Sequence, residues 1–298
     1  MARKSPHATT RVTRSSWWRY AFIAPAILAY GVFVLWPLIQ TIQFSFYQWD
    51  GITAATPVGV SNYVEALGRA EIRAALLRSF VFVFFYSLAP VFIGLVVAAI
   101  LSRVKIRASG FFRAVLFLPQ VLSMVVVAVA WRWMYDEHGP INSALTAMGT
   151  DPIVFLGDFT LALPAVGFIG TWVMTGLCLV LFIAGVNTIP PELYEAASLD
   201  GAGLIREFFA ITIPSLRPQI MFALIFTMTF ALRNFDIVWN TTRGGPGSST
   251  MVPSVFIYDG AFVSRQVGMS SAVSVLLTIL ILVLTAAIIL PLRERRPR

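Results

Sequence analysis

A chain of 298 residues with 58% hydrophobic and only 12% charged residues, at a mean hydropathy of +0.80, is not a soluble domain, which normally carries about a quarter charged residues. The net charge of +8 sits in short basic tracts beside apolar blocks, a membrane topology signal that excludes a nucleic-acid footprint. The one cysteine, Cys178, lies inside an apolar block, which leaves no disulfide framework and no cysteine-based metal site.

The N-terminus, residues 1–19, is polar and basic (Arg3, Lys4, Arg11, Arg14, Arg19) and lacks a small-residue cleavage site after a short apolar core. It reads as a cytoplasmic tail, not as a signal peptide. Six apolar blocks follow, at Tyr20–Ile42, Phe80–Leu101, Phe111–Met134, Leu161–Val186, Gln219–Trp239 and Ala272–Leu290. Each approaches the roughly 20 residues that a helix needs to cross a bilayer. They are too continuously apolar for barrel strands, which alternate over about ten residues. The expected fold is an all-α integral membrane protein of six transmembrane helices, filling residues 20–290, with a second basic tail over 291–298.

Orientation follows from the basic residues. An even number of spans puts the N-terminal tract, Arg103, Lys105, Arg107, Arg113, Arg206, Arg217, Arg293, Arg295, Arg296 and Arg298 on one side, most of the 22 lysines and arginines. The other side holds Arg69, Arg73, Arg78, Arg132, Arg243 and Arg265 together with Asp136, Glu137, Asp151 and Asp158. The positive-inside rule then makes both termini cytoplasmic. Loops Gln43–Arg78, Tyr135–Thr160 and Asn240–Ser271 are expected outside, and Ser102–Ser109 and Asn187–Pro218 inside.

The last of these is the longest cytoplasmic connection, and a long loop needs a reason. Pro190-Pro191 is a helix start, because proline is tolerated in a first turn that needs no backbone donor. Glu192–Leu199 continues with good helix formers, and Asp200-Gly201 makes a turn in which glycine takes positive φ. A second amphipathic stretch places Leu204, Phe208, Phe209 and Ile211 on one face, ended by Pro214 and Pro218. The first helix, with Ala196, Ala197 and Gly201, forms a small knob that another protein can approach closely, and Glu195 offers a charge to a partner arginine.

Glu195-Ala196-Ala197, three residues, Gly201, nine residues, then Ile211-Thr212-Ile213-Pro214 resembles the EAA loop of ABC importer permeases, with Ile213 where the family pattern has leucine. The wider run from Ile189 to Ala202 is similar to the carbohydrate branch of that family, the maltose and glycerol-phosphate permease type. So are Gly139-Pro140-Ile141-Asn142 and Thr242-Arg243-Gly244-Gly245-Pro246-Gly247. The resemblance covers nearly the whole chain, with the three motifs in the family's order. It implies a type I ABC importer permease in a bacterial inner or plasma membrane, embedded in lipid. It also implies a second homologous permease, an ATP-binding subunit dimer, an extracellular substrate-binding protein and a sugar as substrate. Glu195, Ala196, Ala197, Gly201, Ile211 and Pro214 would then couple the chain to the ATPase. The plain alternative is an amphipathic connector resting on the bilayer surface.

No glycine-rich loop followed by Lys and Ser/Thr is present, so ATP and its magnesium belong to a partner, and no cofactor is expected in this chain. No His/Asp/Glu cluster has metal spacing, and His7 and His138 carry no assigned role. The chain is not expected to be an enzyme.

Polar groups within a membrane are costly unless they face a cavity. Gln120 and Ser123 lie in the third block behind Pro119, Trp172 and Thr175 in the fourth, and Phe230, Asn234 and Asp236 in the fifth with Arg233 beside them. Aromatic faces against sugar C–H surfaces, and amides or carboxylates against hydroxyls, make these the candidate substrate pathway. Each has a plainer reading. Arg233 either reaches outward or pairs with Asp236. Trp172 and Phe230 suit interhelical packing equally well, and Ser123 and Thr175 suit bonding across helices. Gly244–Gly247 reads first as turn geometry. Rival functions are an ABC permease for a non-sugar solute, a membrane enzyme or assembly factor, and a proton-driven carrier in which Asp236 alone could relay protons.

Overall fold

The computed structural model describes residues 22–103 and 109–293. The basic residues up to Arg19, Lys105 and Arg107, and Arg295, Arg296 and Arg298 lie outside the described residues.

Four helices are long and apolar enough to cross a membrane without interruption: Ala24–Phe44, Ala70–Leu101, Ala162–Val186 and Val267–Leu290. Two further apolar stretches are bent pairs, so the count reaches six when each pair is taken as one span. In the third block, the helix Ser109–Val121, along its stretch Ala114–Val121, meets Met124–Met134 at 109°. Pro119 supplies no N–H to the helix and crowds the carbonyl a turn before it, and Ser123 is extended at ψ 137°. In the fifth, Leu204–Ser215 meets Arg217–Leu232 at 73° over the buried Leu216.

Ala162–Val186 is the centre of the bundle and the element with most buried residues. Ala70–Leu101 crosses it where Gly94 lies against Cys178, so close that a Cβ there would stand 2.8 Å from the Cys178 Cβ. Ser109–Val121 crosses where a Cβ on Gly176 would stand 2.1 Å from the Leu116 carbonyl oxygen. Small residues at such crossings let apolar helices approach without a hydrophobic driving force between them. One cluster of core residues joins Tyr86, Trp131, Met174 and Ile237; a second joins Leu95, Cys178, Phe182 and Leu216. The first span, by contrast, has no buried residue along Ala24–Phe44.

Several boundaries differ from the sequence reading. The second span begins at Ala70 and not at Phe80, because the amphipathic turns carrying Arg73 and Arg78 are already helical. It also contains a π-helical turn at Phe84–Leu88. The fifth ends at Leu232, and after the non-helical joint Arg233–Phe235 a separate helix runs Asp236–Thr241. The segment 43–78 holds a short antiparallel hairpin, with Tyr47 opposite Pro57 and Gln48 opposite Thr56, and a helix at Ser61–Gly68.

The two loop motifs are built as structure. Asn142 is fully buried; its Nδ2 donates to the carbonyls of Asp136 (3.0 Å) and Ile153 (2.9 Å), and its Oδ1 accepts from the Ile153 N–H at 2.8 Å. That side chain closes the loop after the third span. In the other motif the Thr250 hydroxyl donates to the Gly245 carbonyl and shares a hydrogen bond with Thr242, while Arg243 lies over the Trp239 ring. Thus Gly244–Gly247 is turn geometry.

Candidate functional site

Two regions carry the candidate residues. The first is the helix Pro191–Leu199. Pro190 stands at its N-cap with Pro191 inside the first turn, and Glu192 in that turn complements the positive end of the helix dipole. Its C-terminus is a Schellman turn. The Gly201 N–H donates to the Ser198 carbonyl at 3.1 Å, and the Ala202 N–H to the Ala197 carbonyl at 2.9 Å. Gly201 has φ +73°, the left-handed region that favours glycine, and a Cβ there would meet nothing within 4 Å. The position needs a glycine for its backbone and leaves open space on its outer side.

Glu195, Ala196, Gly201 and Pro214 are exposed, Ala197 is half-buried, and apolar side chains surround them on the surface: Leu199 is 88% exposed, Ile205 77% and Leu204 71%. Behind this face the Tyr194 hydroxyl shares a hydrogen bond with Thr212 Oγ1 at 3.0 Å, and Tyr194, Phe208 and Ile211 pack into the core around Leu216. The expectation that Leu204, Phe208, Phe209 and Ile211 share one face is therefore corrected. A π-helical turn at Phe208–Thr212 adds a residue to the turn. Phe208 and Ile211 pack inward, while Leu204 and Phe209 stay outside.

The second region is a cleft of about 540 Å³ along Arg217–Leu232 and the joint that follows it. Phe222, Phe226 and Phe230 recur every fourth residue along its wall, with the Phe222 and Phe226 rings stacked at 6.0 Å. Thr229, Arg233, Asn234, Asp236 and Met124 complete the polar end and the opposite side. No ion pair joins Arg233 to Asp236 in the described structure. Asp236 opens the helix Asp236–Thr241, where the dipole favours a carboxylate. Asn234 is only 3% exposed, and its Nδ2 donates to the Tyr86 hydroxyl at 3.0 Å.

Of the seven pathway residues expected from sequence, the structure brings Phe230, Asn234 and Asp236 to this cleft. Ser123 sits one residue from Met124 at the break in the third span. Gln120 is half-buried beside Pro119 with a buried Oε1 that accepts nothing. Trp172 packs edge-on against Trp131 at 5.5 Å, and Thr175 donates to the Thr171 carbonyl within its own helix, so neither lines the cleft. Sequence reasoning passed over Phe222, Phe226 and Thr229, although their four-residue spacing with Phe230 and Arg233 was a readable signal. Among the described residues no group of three His, Cys, Asp or Glu side chains could hold a metal.

Comparison with known proteins gives the family. The family model described as binding-protein-dependent transport system inner membrane component matches residues 90–298. The chain is 36% identical over 271 residues to the probable ABC transporter permease protein YurN of Bacillus subtilis, covering 89% of this chain and 92% of that one. It is 33% identical to the lactose transport system permease protein LacF of Rhizobium radiobacter, over 97% of this chain and all of the other. Among solved structures, a bacterial ABC transporter involved in the import of the acidic polysaccharide alginate superposes with a TM-score of 0.82 at 21% identity, covering 94% of this chain and 96% of that one. The chain belongs to the family of binding-protein-dependent transport system inner membrane components, the ABC importer permeases.

Proposed function

We propose that this chain is a permease subunit of an ATP-driven sugar importer, spanning a bacterial inner or plasma membrane six times with both termini in the cytoplasm. It forms half of the translocation pathway beside a second homologous permease. An ATPase pair drives it, and an extracellular binding protein delivers the substrate. The sugar reading is supported by the relatives. Alongside the lactose permease stand a diacetylchitobiose uptake system permease of Streptomyces coelicolor, 33% identical, and a trehalose/maltose transport system permease of Thermococcus litoralis, 31% identical. The alginate transporter has been solved in complex with an alginate pentasaccharide-bound periplasmic protein, which supports the expectation of a binding protein.

The observation that carries the coupling half of the reading is the exposed face of Pro191–Leu199. Leu199, Leu204, Ile205 and Phe209 stand out around a close-approach surface of Glu195, Ala196, Ala197 and Gly201. An apolar patch beside charged and small residues marks a surface that a partner covers. Ile211 and Pro214 act from behind, by shaping the turn into the fifth span. The cleft of Phe222, Phe226, Phe230, Arg233, Asn234 and Asp236 supplies aromatic faces with an amide, a guanidinium and a carboxylate, a set suited to sugar hydroxyls.

The test is uptake of labelled lactose, maltose, trehalose and N,N′-diacetylchitobiose into membrane vesicles holding the complete system. ATP is supplied and the proton gradient is collapsed. ATP-dependent uptake of one of these is expected. Uptake that instead follows the proton gradient would favour a carrier relaying protons through Asp236, and overturns the proposal.

A further inference from the structure

We propose that Tyr86, which does not line the cleft, is the positioning residue that holds the Asn234 amide in register for a sugar hydroxyl; this rests on the cleft being the substrate pathway. The argument begins with the backbone. Asn234 lies in the joint Arg233–Phe235, between the end of Arg217–Leu232 and the start of Asp236–Thr241, with only a long bond of 3.3 Å from its N–H to the Ala231 carbonyl. No regular helix fixes its side chain. Its Nδ2 donates to the Tyr86 hydroxyl, and among the described residues Oδ1 accepts from no group. That bond takes one of the two Nδ2 hydrogens and leaves Oδ1 as an open acceptor on a residue that lines the cleft, which matches the O–H donors of a carbohydrate.

Tyr86 is suited to hold that geometry. It is fully buried in the π-helical turn Phe84–Leu88, and π turns of this kind are frequent at functional positions. Its ring lies on Gly170, where a Cβ would come within 2.0 Å of the Tyr86 Cε2, and packs edge-on against Phe82 at 5.7 Å. The residues on either side of it are tied as well. The Phe85 carbonyl accepts the Thr171 hydroxyl at 2.6 Å, and the Ser87 hydroxyl accepts that of Thr227 at 2.7 Å. Three consecutive residues of one turn thus bond to the fourth span, the joint and the fifth span. The tyrosine ring has no room to swing, so the position of its hydroxyl decides the orientation of Asn234.

A double-mutant cycle separates positioning from packing. Direct binding of labelled lactose, maltose, trehalose and N,N′-diacetylchitobiose is measured on the complete transporter, purified without its binding protein. Tyr86→Phe keeps the ring on Gly170 and removes only the hydroxyl; Asn234→Ala removes the amide, with Asn234→Ser in its place should the alanine variant fail to assemble. Each single variant is expected to weaken binding about tenfold, the effect of one lost hydrogen bond to a polar ligand. Tyr86→Phe in the Asn234→Ala background is expected to weaken it no further. Independent effects that multiply in the double variant, or wild-type binding by Tyr86→Phe beside a defective Asn234→Ala, overturn the positioning role. Wild-type binding by the Asn234 variants, or no binding of any of the four sugars by the unaltered complex, overturns the pathway reading beneath it.

Discussion

Gly201 is demanded by its backbone and, in the proposed docking, by the bare surface it leaves, and two substitutions separate the demands. At φ +73° an alanine costs about 1 kcal/mol, from crowding of its Cβ against the following carbonyl. A loss of that size changes the population of the ordered turn about fivefold. The helix Pro191–Leu199 is only nine residues long, too short to hold itself without its caps. No clash within the chain adds to this, because a Cβ at Gly201 meets nothing within 4 Å. Asparagine tolerates the left-handed region, so Gly201→Asn keeps most of the Schellman turn while placing an amide on the outer surface. If the bare surface is what a partner ATPase reads, Gly201→Asn lowers coupled activity at least as far as Gly201→Ala, about tenfold or more, with unchanged protein in the membrane. The assay is binding-protein-stimulated ATP hydrolysis by the purified complex, beside quantification of inserted chain. Wild-type coupling in both variants refutes the docking argument. Loss in the alanine variant with retention in the asparagine variant reduces Gly201 to a turn residue.

Three further outcomes follow from packing and charge. Asn142→Ala leaves the Ile153 N–H without its partner, while the Asp136 and Ile153 carbonyls keep the N–H groups of Gly139 and Phe155, and is expected to cost about 1–3 kcal/mol, read as a lowered thermal midpoint of the detergent-purified protein. Gly176→Val drives a side chain into the Leu116 carbonyl and costs about 1–3 kcal/mol or more, whereas Gly110→Val, at a position with nothing within 4 Å, leaves the midpoint unchanged. The Asp158 carboxyl is held below the usual carboxylate range first by the Thr160 hydroxyl and then by the N–H groups of Thr160 and Leu161. A depressed pKa contributes stability that is present above about pH 3.9 and lost as pH falls through the lowered value. Wild type therefore loses thermal midpoint as pH falls below about 4 by an amount that Asp158→Asn does not show.

What the sequence made legible depended on whether a feature has a composition. Ala162–Val186 matches its apolar block almost residue for residue, because it is apolar throughout, on its exposed positions Phe168, Trp172 and Val180 as well as its buried ones. The second span was read ten residues short because its first turns are amphipathic, and a run that counts only apolar residues starts after Arg78. The bend at Ser123 had a flag in Pro119; the joint at Arg233–Phe235 had neither proline nor glycine. The helix Pro191–Leu199 was readable from Pro190-Pro191 at one end and Asp200-Gly201 at the other, since both act through local backbone preferences. The π turns at Phe84–Leu88 and Phe208–Thr212 leave no comparable trace, and they decide that Tyr86 reaches Asn234 and that Phe209 parts company with Ile211. Trp172 and Thr175, in the middle of a continuous helix, do not line the cleft, and an all-round apolar helix gives no face from which that could be read.

The exposed helix Pro191–Leu199 and the cleft are joined by one short rod. Leu204–Ser215 turns by 73° into Arg217–Leu232 at Leu216, which is seated so closely over Gly185 that a Cβ there would lie 2.5 Å from the Leu216 Cδ2. The rod has 16 residues and no glycine or proline beyond Pro218, so it carries a displacement about 24 Å from the bend to Arg233 with little give. On the way it is tied to the second span by Thr227 to Ser87, and at its far end by Asn234 to Tyr86. Hydrogen bonds between membrane helices contribute only about 0.6–1 kcal/mol each, because neighbouring groups offer substitutes. Two such ties fix a register without locking it. A force applied at Pro191–Leu199 therefore meets a stiff element restrained by contacts weak enough to exchange, and the first residues to move at its end are Arg233 and Asn234 in the wall of the cleft. That is the mechanical property the proposed function requires, in which an ATPase docked on Pro191–Leu199 rearranges the residues of the cleft.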